Sequence, residues 1–268
     1  MINIDIKSKK RLFSKLQGKH LSKYGGSGVE FLELREYSIY DNARHINFKR
    51  SNPYQNPLVN IYGDERELNV VVVYLISASL EYKSKKDIAK DVASTLCYIG
   101  SNERLNLLLF SNKVEKFFQN IKRNEAFDLA YDTISSIEHF QKSIDYTNLS
   151  NFLSKSIKEK SIIFLVGDFL EPNINLDELL FMHEVYLLII RDKSEENLDI
   201  SSSNLLNPFN KKIRFFNINN STKHKYQKEF ELQEKAFLEY LTKNSVDYKK
   251  IYSKDEVIPK IKLFWESF

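Results

Sequence analysis

"VVVYLISASLEY", residues Val71–Tyr82, continues the run "LNVVVVYLI" (68–76), and the reading of this stretch decides the fold. Four consecutive valines lead into Tyr74, Leu75 and Ile76 with no polar residue between them. A strand with one wet face alternates apolar and polar residues; an unbroken Val-rich run is the pattern of a strand buried on both faces, as in a parallel sheet covered by helices. The run ends in Ser77-Ala78-Ser79, a spacing that lets two hydroxyls face one point above the strand end. Two positions before Ser77, where a cation-binding strand end would carry an aspartate, stands Leu75.

Working outward, runs of the same kind recur. "RLNLLLF" (104–110), "SIIFLVGDF" (161–169) and "EVYLLIIRD" (184–192) read as further buried strands, with "VEKFFQ" (114–119) as an edge partner. Helical patterns lie between them. Ser84-Lys85-Lys86-Asp87 opens one, with Ser84 expected to accept from the amide of residue 87, and Ile88, Val92, Leu96 and Ile99 give it a buried stripe. Others are expected at 124–138, 147–159, 177–183 and 222–243, and at the C-terminus. Residues 201–210 read as a Ser/Asn/Pro loop, followed by a strand in "KKIRFFNIN" and another in "VDYKKIY". Strands alternating with helices imply an α/β fold, a doubly wound and mostly parallel sheet with helices on both faces. Residues 1–65 lack the alternation and read as an N-terminal extension to a domain spanning 66–268.

Composition narrows the function classes. The chain has 268 residues, 42% of them hydrophobic, with 19 Phe and 15 Tyr to fill a core and only seven Gly and five Pro. One cysteine, Cys97, rules out an intramolecular disulfide and a cysteine-built zinc cluster, and its place on the buried face of a helix marks it as a core residue. The longest apolar runs are strand-length, so no membrane span is expected. The N-terminus lacks the apolar core of a signal peptide, and a reducing cytoplasm is the expected compartment. The net charge of +4 comes from residues 1–23, where seven Lys and Arg face Asp5 alone. That pattern reads as a solvated basic tail, not a nucleic-acid arm.

In open α/β sheets, ligands bind beyond the carboxyl ends of the strands. Ser77 and Ser79, Asp168 and Asp192 fall at such ends, and Thr147 opens the helix before the Asp168 strand, where it also reads as an N-cap. Ser77, Ser79, Thr147 and Asp168 are oxygen donors of the kind that hold a hard cation. Glycine-rich phosphate loops, Gly-x-Ser-x-Gly elbows and His-Glu-x-x-His helices are all missing, and the five histidines are scattered, with His183 read as a helix-end or core residue. The competing enzymatic reading is a metal-dependent hydrolase or nuclease centred on Asp168 with Glu171 and Glu184.

Together, these four positions resemble the metal-ion-dependent adhesion site of von Willebrand factor type A domains, with Leu75 in place of the first aspartate. A longer resemblance is carried by "GSGVEFLELREYSIYDNARHINFKRS" (26–51), which is similar to the signature of the domain-of-unknown-function 58 family. Gly26, Gly28, Glu30, Phe31, Arg35, Tyr37, Asp41, Arg44 and Ile46 match it in order and spacing. Tyr40 replaces a family glycine, and Asn47-Phe48 replaces Asp-Trp. "NLLLFSNKVEKFF", "IIFLVGDFLEP", "HEVYLLIIRDKSE" and the C-terminal "VDYKKIYSKDEVIPKIKLFWES" extend the likeness over nearly the whole chain. The resemblance implies a von Willebrand A-like fold and a protein-interaction module, not an enzyme, that serves a MoxR-type AAA+ ATPase and its client. It also suggests a polar network, built on Arg35, Glu36, Asp41 and Arg44, joining the N-terminal segment to the sheet, with Phe31, Tyr37, Ile46 and Phe48 as apolar anchors.

With one carboxylate and three hydroxyls the adhesion-type site is degenerate. No resident cofactor is expected, Mg2+ or Mn2+ should bind only weakly, and Leu75→Asp is expected to supply a second carboxylate.

Overall fold

A computed structural model describes residues 30–39, 41–51, 56–63, 68–171, 174–198, 203–252 and 256–266. They form two compact units divided between residues 67 and 68.

The larger unit is an α/β domain around a six-stranded sheet. Its strands are β3 (Asn69–Leu75), β4 (Arg104–Phe110), β5 (Val114–Ile121), β6 (Ile162–Gly167), β7 (Glu184–Arg191) and β10 (Asp247–Tyr252), in spatial order β10-β7-β6-β3-β4-β5. All neighbours pair in parallel except β4 and β5, so the antiparallel strand lies at an edge. The four apolar runs are therefore parallel neighbours, as the sequence implied, and the order reverses between β3 and β6. That is the doubly wound, von Willebrand A-like arrangement, with its topological switch point between those two strands.

Strand β3 shows why the valine run was needed. Val70, Val72 and Tyr74 enter a core on one face of the sheet, with α1 (Lys85–Gly100), α2 (Ala126–Ser135) and α7 (Val257–Glu266). Val71, Val73 and Leu75 enter a second core on the other face, with α3 (Tyr146–Ser156), α4 (Asp177–Met182) and α6 (Asn220–Lys243). Every residue of β3 is buried. Cys97 lies in the first core, and burial pushes its thiol far above the usual range, so it is a core residue.

Three local expectations are corrected. Ser84 precedes α1 but makes no side-chain cap bond. Thr147 does not cap α3: Asp145 does, its carboxylate accepting from the Asn148 amide at 3.0 Å. The 201–210 segment is not simply a loop, because Ser203–Leu206 (β8) pairs antiparallel with Ile213–Phe216 (β9) in a separate two-stranded sheet. Among the described residues no helix is long and apolar enough to cross a membrane.

The smaller unit, described by itself, is a two-stranded antiparallel sheet of β1 (Glu30–Glu36) and β2 (Leu58–Gly63). Glu30 and Phe31 belong to β1, while Gly26, Gly28 and Tyr40 lie outside the described residues. Arg35 grips Asp41 with two hydrogen bonds, 2.9 and 2.6 Å, and Asp41 also accepts from the Ser38 amide at 2.7 Å. Burial raises the Asp41 pKa, but the Ser38 bond and the Arg35 guanidinium outweigh it and hold the carboxyl below its ordinary value. This ion pair thus closes a turn within the segment. Tyr37 donates its backbone amide to Pro57, Arg44 is an exposed residue of a single 3-10 turn, and Ile46 bridges to Val59. Asn47 takes over a turn role that an aspartate could fill, its side-chain oxygen accepting from the Arg50 amide. Phe48 is 79% exposed.

A buried ion-paired candidate site at the carboxyl ends of the strands

Three segments meet beyond the ends of β3, β6 and β7. After β3 the chain turns through Ser77 and Ser79, whose hydroxyl oxygens lie 2.7 Å apart. After β6 comes Asp168, only 1% exposed. After β7, α5 (Lys193–Asn197) begins with a capping box: the Asp192 side chain accepts from the Ser194 amide, and Glu195 reaches back to the Asp192 amide at 3.0 Å. That box fixes Glu195 at the strand end, since one of its oxygens is committed to the backbone.

The remaining oxygen of Glu195 faces a residue that motif reading did not single out. Lys85, the first residue of α1, is fully buried, and its ammonium donates to Asp168 Oδ2 at 2.8 Å and to Glu195 Oε1 at 2.7 Å. A cation in the first turn of a helix opposes the helix dipole. Here the two carboxylates offset that cost and the cost of burial. The mismatch is visible in the sequence, but Lys86 shares it, so it does not single out Lys85.

Asp168 is held from other sides as well. Its backbone oxygen accepts from Arg191, which is buried at the end of β7 and lies near Glu234 of α6. The next residue, Phe169, has φ of +50°, a left-handed conformation that costs a non-glycine residue about 1–2 kcal/mol. Stacking against Tyr146 and Phe237 holds it there. Asp168 Oδ1 has no hydrogen-bond donor among the described residues.

Glu171 lies beside this group. The Tyr146 hydroxyl donates to it at 3.4 Å, and Ser77 and Asp168 are among the neighbours that shift its carboxyl. Burial first, then the nearby Asp168 charge, pushes the Glu171 carboxyl above its ordinary range. Burial, with Glu171 and Asp168, likewise pushes the Tyr146 phenol well up. Thr147, next to Tyr146, is exposed on the first turn of α3. The structure thus gathers Ser77, Ser79 and Asp168 with Glu171, Lys85 and Glu195, and places the Thr147 side chain toward solvent.

Leu75 lies beneath this group, in the second core and 1% exposed. A Cβ placed on Gly167 would come within 3.0 Å of Leu75, so the two strand ends approach as closely as a glycine permits. An aspartate at position 75 would therefore meet apolar core, which revises the expectation that Leu75→Asp simply adds a ligand. His183, at the end of α4, is buried, and burial, then the Lys160 charge, lowers its pKa, in keeping with a helix-end residue.

The mostly parallel six-stranded sheet, flanked by helices and with its order reversing between β3 and β6, is a von Willebrand A-like α/β fold. The model of the family "Protein of unknown function DUF58" matches residues 33–236, and the chain belongs to that family. Among solved structures it is similar to the conserved hypothetical protein BatB from Bacteroides thetaiotaomicron, at 12% identity and a TM-score of 0.45, covering 75% of this chain and 98% of that one. It is also similar to proximal thread matrix protein 1 from the mussel byssus, at 12% identity and a TM-score of 0.34, covering 47% of this chain and 38% of that one. Neither likeness carries a functional argument. No curated protein matches the sequence.

Proposed function

We propose that the chain is a protein-interaction module that works with a MoxR-type AAA+ ATPase, and that its strand-end site is a degenerate adhesion site in which Lys85 takes the place of a divalent cation. One observation carries the second part: the Lys85 ammonium lies between Asp168 and Glu195, at 2.8 and 2.7 Å, with its side chain fully buried.

The donor set does not suit Mg2+. A dication next to Asp168 would face an ammonium already bonded to that carboxylate. Glu171, a further carboxyl beside Asp168, has its pKa raised by burial and by the Asp168 charge, and the serine hydroxyls are bonded to each other. The hydrolase or nuclease reading needs Asp168 to reach a substrate or metal-bound water, and a carboxylate 1% exposed and paired to lysine is poorly placed for that. The ATPase partnership rests on family membership, and the basic tail, residues 1–23, lies outside the described residues.

Affinity purification of the tagged full chain from its native host tests the partnership, with recovery of a MoxR-type ATPase expected. Metal-stimulated cleavage of bis-p-nitrophenyl phosphate by the purified chain, lost in Asp168→Asn, would replace this proposal with the enzymatic one.

A further inference from the structure

The β8–β9 hairpin exposes what a folded chain normally hides. Leu206, Ile213, Phe215 and Phe216 are between 46% and 67% exposed. The register pairs Leu206 with Ile213 and Asn204 with Phe215, so Leu206, Ile213 and Phe215 share one face, while Arg214 and Phe216 lie on the other. Apolar side chains thus stand on both faces of a two-stranded ribbon, which is marginal in water on its own. The turn end is anchored: the Gln141 amide donates to the Pro208 oxygen at 2.9 Å, and Lys211 pairs with Glu138 at 2.9 Å and lies over the Phe140 ring. Lys212 and Arg214 are exposed, and residues 203–228 contain six Lys and Arg and no Asp or Glu.

We propose that this hairpin is a docking element for an anionic lipid surface, its apolar side chains entering the headgroup boundary and its basic residues meeting the lipid charge. The all-positive charge of the segment selects an anionic occupant and disfavours a second copy of the same hairpin, which would bring like charges together. Phe215 and Phe216 carry rings, but they lie on opposite faces of the ribbon, and Leu206 and Ile213 on the Phe215 face offer none, so no row of rings tracks a single strand of nucleic acid. A flat protein surface would cover one face of the ribbon, whereas an interfacial layer surrounds it. The outer edges of a two-stranded ribbon carry unpaired backbone groups, so insertion stops at the hydrated headgroup region. This inference is independent of the ATPase partnership and of the strand-end site.

The test is flotation of the purified full chain with vesicles of phosphatidylcholine alone and of phosphatidylcholine with phosphatidylglycerol. Binding to the anionic vesicles only, weakened by raised salt, is expected. Each of Lys212→Ala and Arg214→Ala should weaken it about five-fold. Ile213→Asp with Phe215→Asp should abolish it while leaving the melting temperature unchanged, since both positions are exposed. If the native chain does not float with anionic vesicles, the proposal is overturned and the hairpin is left as a surface for an acidic protein. Equal flotation of the Ile213→Asp, Phe215→Asp variant overturns it too, by moving the contact elsewhere.

Discussion

At the amino end of the sheet, Asn69 of β3 donates to Ser161 at 2.7 Å and accepts from Asn106 of β4 at 2.7 Å. Asn106 in turn accepts from the Asn120 amide, at the point where the β4–β5 register shifts. At the carboxyl end, beyond β3, β6 and β7, the polar groups are ionised or titratable: Lys85, Asp168 and Arg191 are buried, and Glu195 and Glu171 are half-buried. The amino-end network is neutral, and each amide in it has a partner. The carboxyl-end group carries opposed charges, a strained Phe169 and a carboxylate oxygen with no donor among the described residues. Neutral amides do not have to be stripped of a charge's hydration, so the amino end suffices for joining strands. Retaining ions at the other end is costly, and buried polar groups kept at a cost are where function is to be sought.

The contrast breaks most visibly at Lys85. Lys85→Met leaves the buried Asp168 and the half-buried Glu195 without their cation, and loss of one partner of a buried pair costs about 3–5 kcal/mol. Urea denaturation of the variant should show that loss. Adding Asp168→Asn and Glu195→Gln should recover part of it, because the repulsive charges go with the lysine. A loss below about 1 kcal/mol would mean the site is wetter than its burial implies. At the other end, Asn106→Leu removes a neutral partner and leaves the Asn69 oxygen and the Asn120 amide unpaired. About 1–3 kcal/mol is expected by the same measurement. If Asn106→Leu proves costlier than Lys85→Met, the ranking of the two ends is reversed.

Much of this architecture was legible in sequence, for a physical reason. A strand between two helical layers needs apolar side chains on both faces, so Val70–Val73 and the runs ending at Val166 and Ile190 announce themselves locally. Ser77, Ser79 and Asp168 were legible because they follow such runs directly. Strand β9 was legible in "KKIRFFNIN", but its partner β8 was missed because the Ser, Asn and Pro content of 201–210 is that of a loop. Lys85 and Glu195 were missed because each looks like an exposed charge at a helix start. Their pairing depends on three chain segments converging, which no spacing records. Thr147 shows the reverse error: it has the right residue type and order, but its side chain is exposed.

Both ends should respond to acid, the amino end through the buried His183 and the carboxyl end through His139, each with its pKa lowered by burial. His139, fully buried, has its Nε2 2.8 Å from the Tyr74 hydroxyl, near the carboxyl end of β3. Burial, then the Lys86 charge, lowers its pKa to about 4, against a weaker opposing pull from Glu81 and the Ile137 carbonyl, with Lys142 adding to the depression. The unfolded chain binds this proton near pH 6.5 and the folded chain only near 4, so stability falls as pH drops through that window. One proton sets a limit of about 1.4 kcal/mol per pH unit. Glu171, with its raised pKa, acts in the opposite sense but is common to both proteins in a comparison with His139→Gln. The variant should lose the His139 share of the slope. An identical slope in both would show that another group carries it.

The smallest effect expected is also the one that tests the central contrast most directly. If Lys85 holds the place of a cation, Mg2+ has little to gain at the strand ends, and affinity should be no better than roughly millimolar, the weak end for oxygen sites. At 1 mM free Mg2+ that limits the added stability to about 0.4 kcal/mol, less than any substitution above. Mn2+, with similar ligand preferences, should behave alike. Calorimetric titration of the native chain decides the matter. Micromolar binding abolished by Asp168→Asn would mean that the ammonium swings away to admit the metal. The carboxyl end would then be a gated cation site instead of a closed one, and Lys85→Met should tighten the metal further. Weak binding in the native chain, with tight binding appearing only in Lys85→Met, would show that the lysine alone excludes the ion.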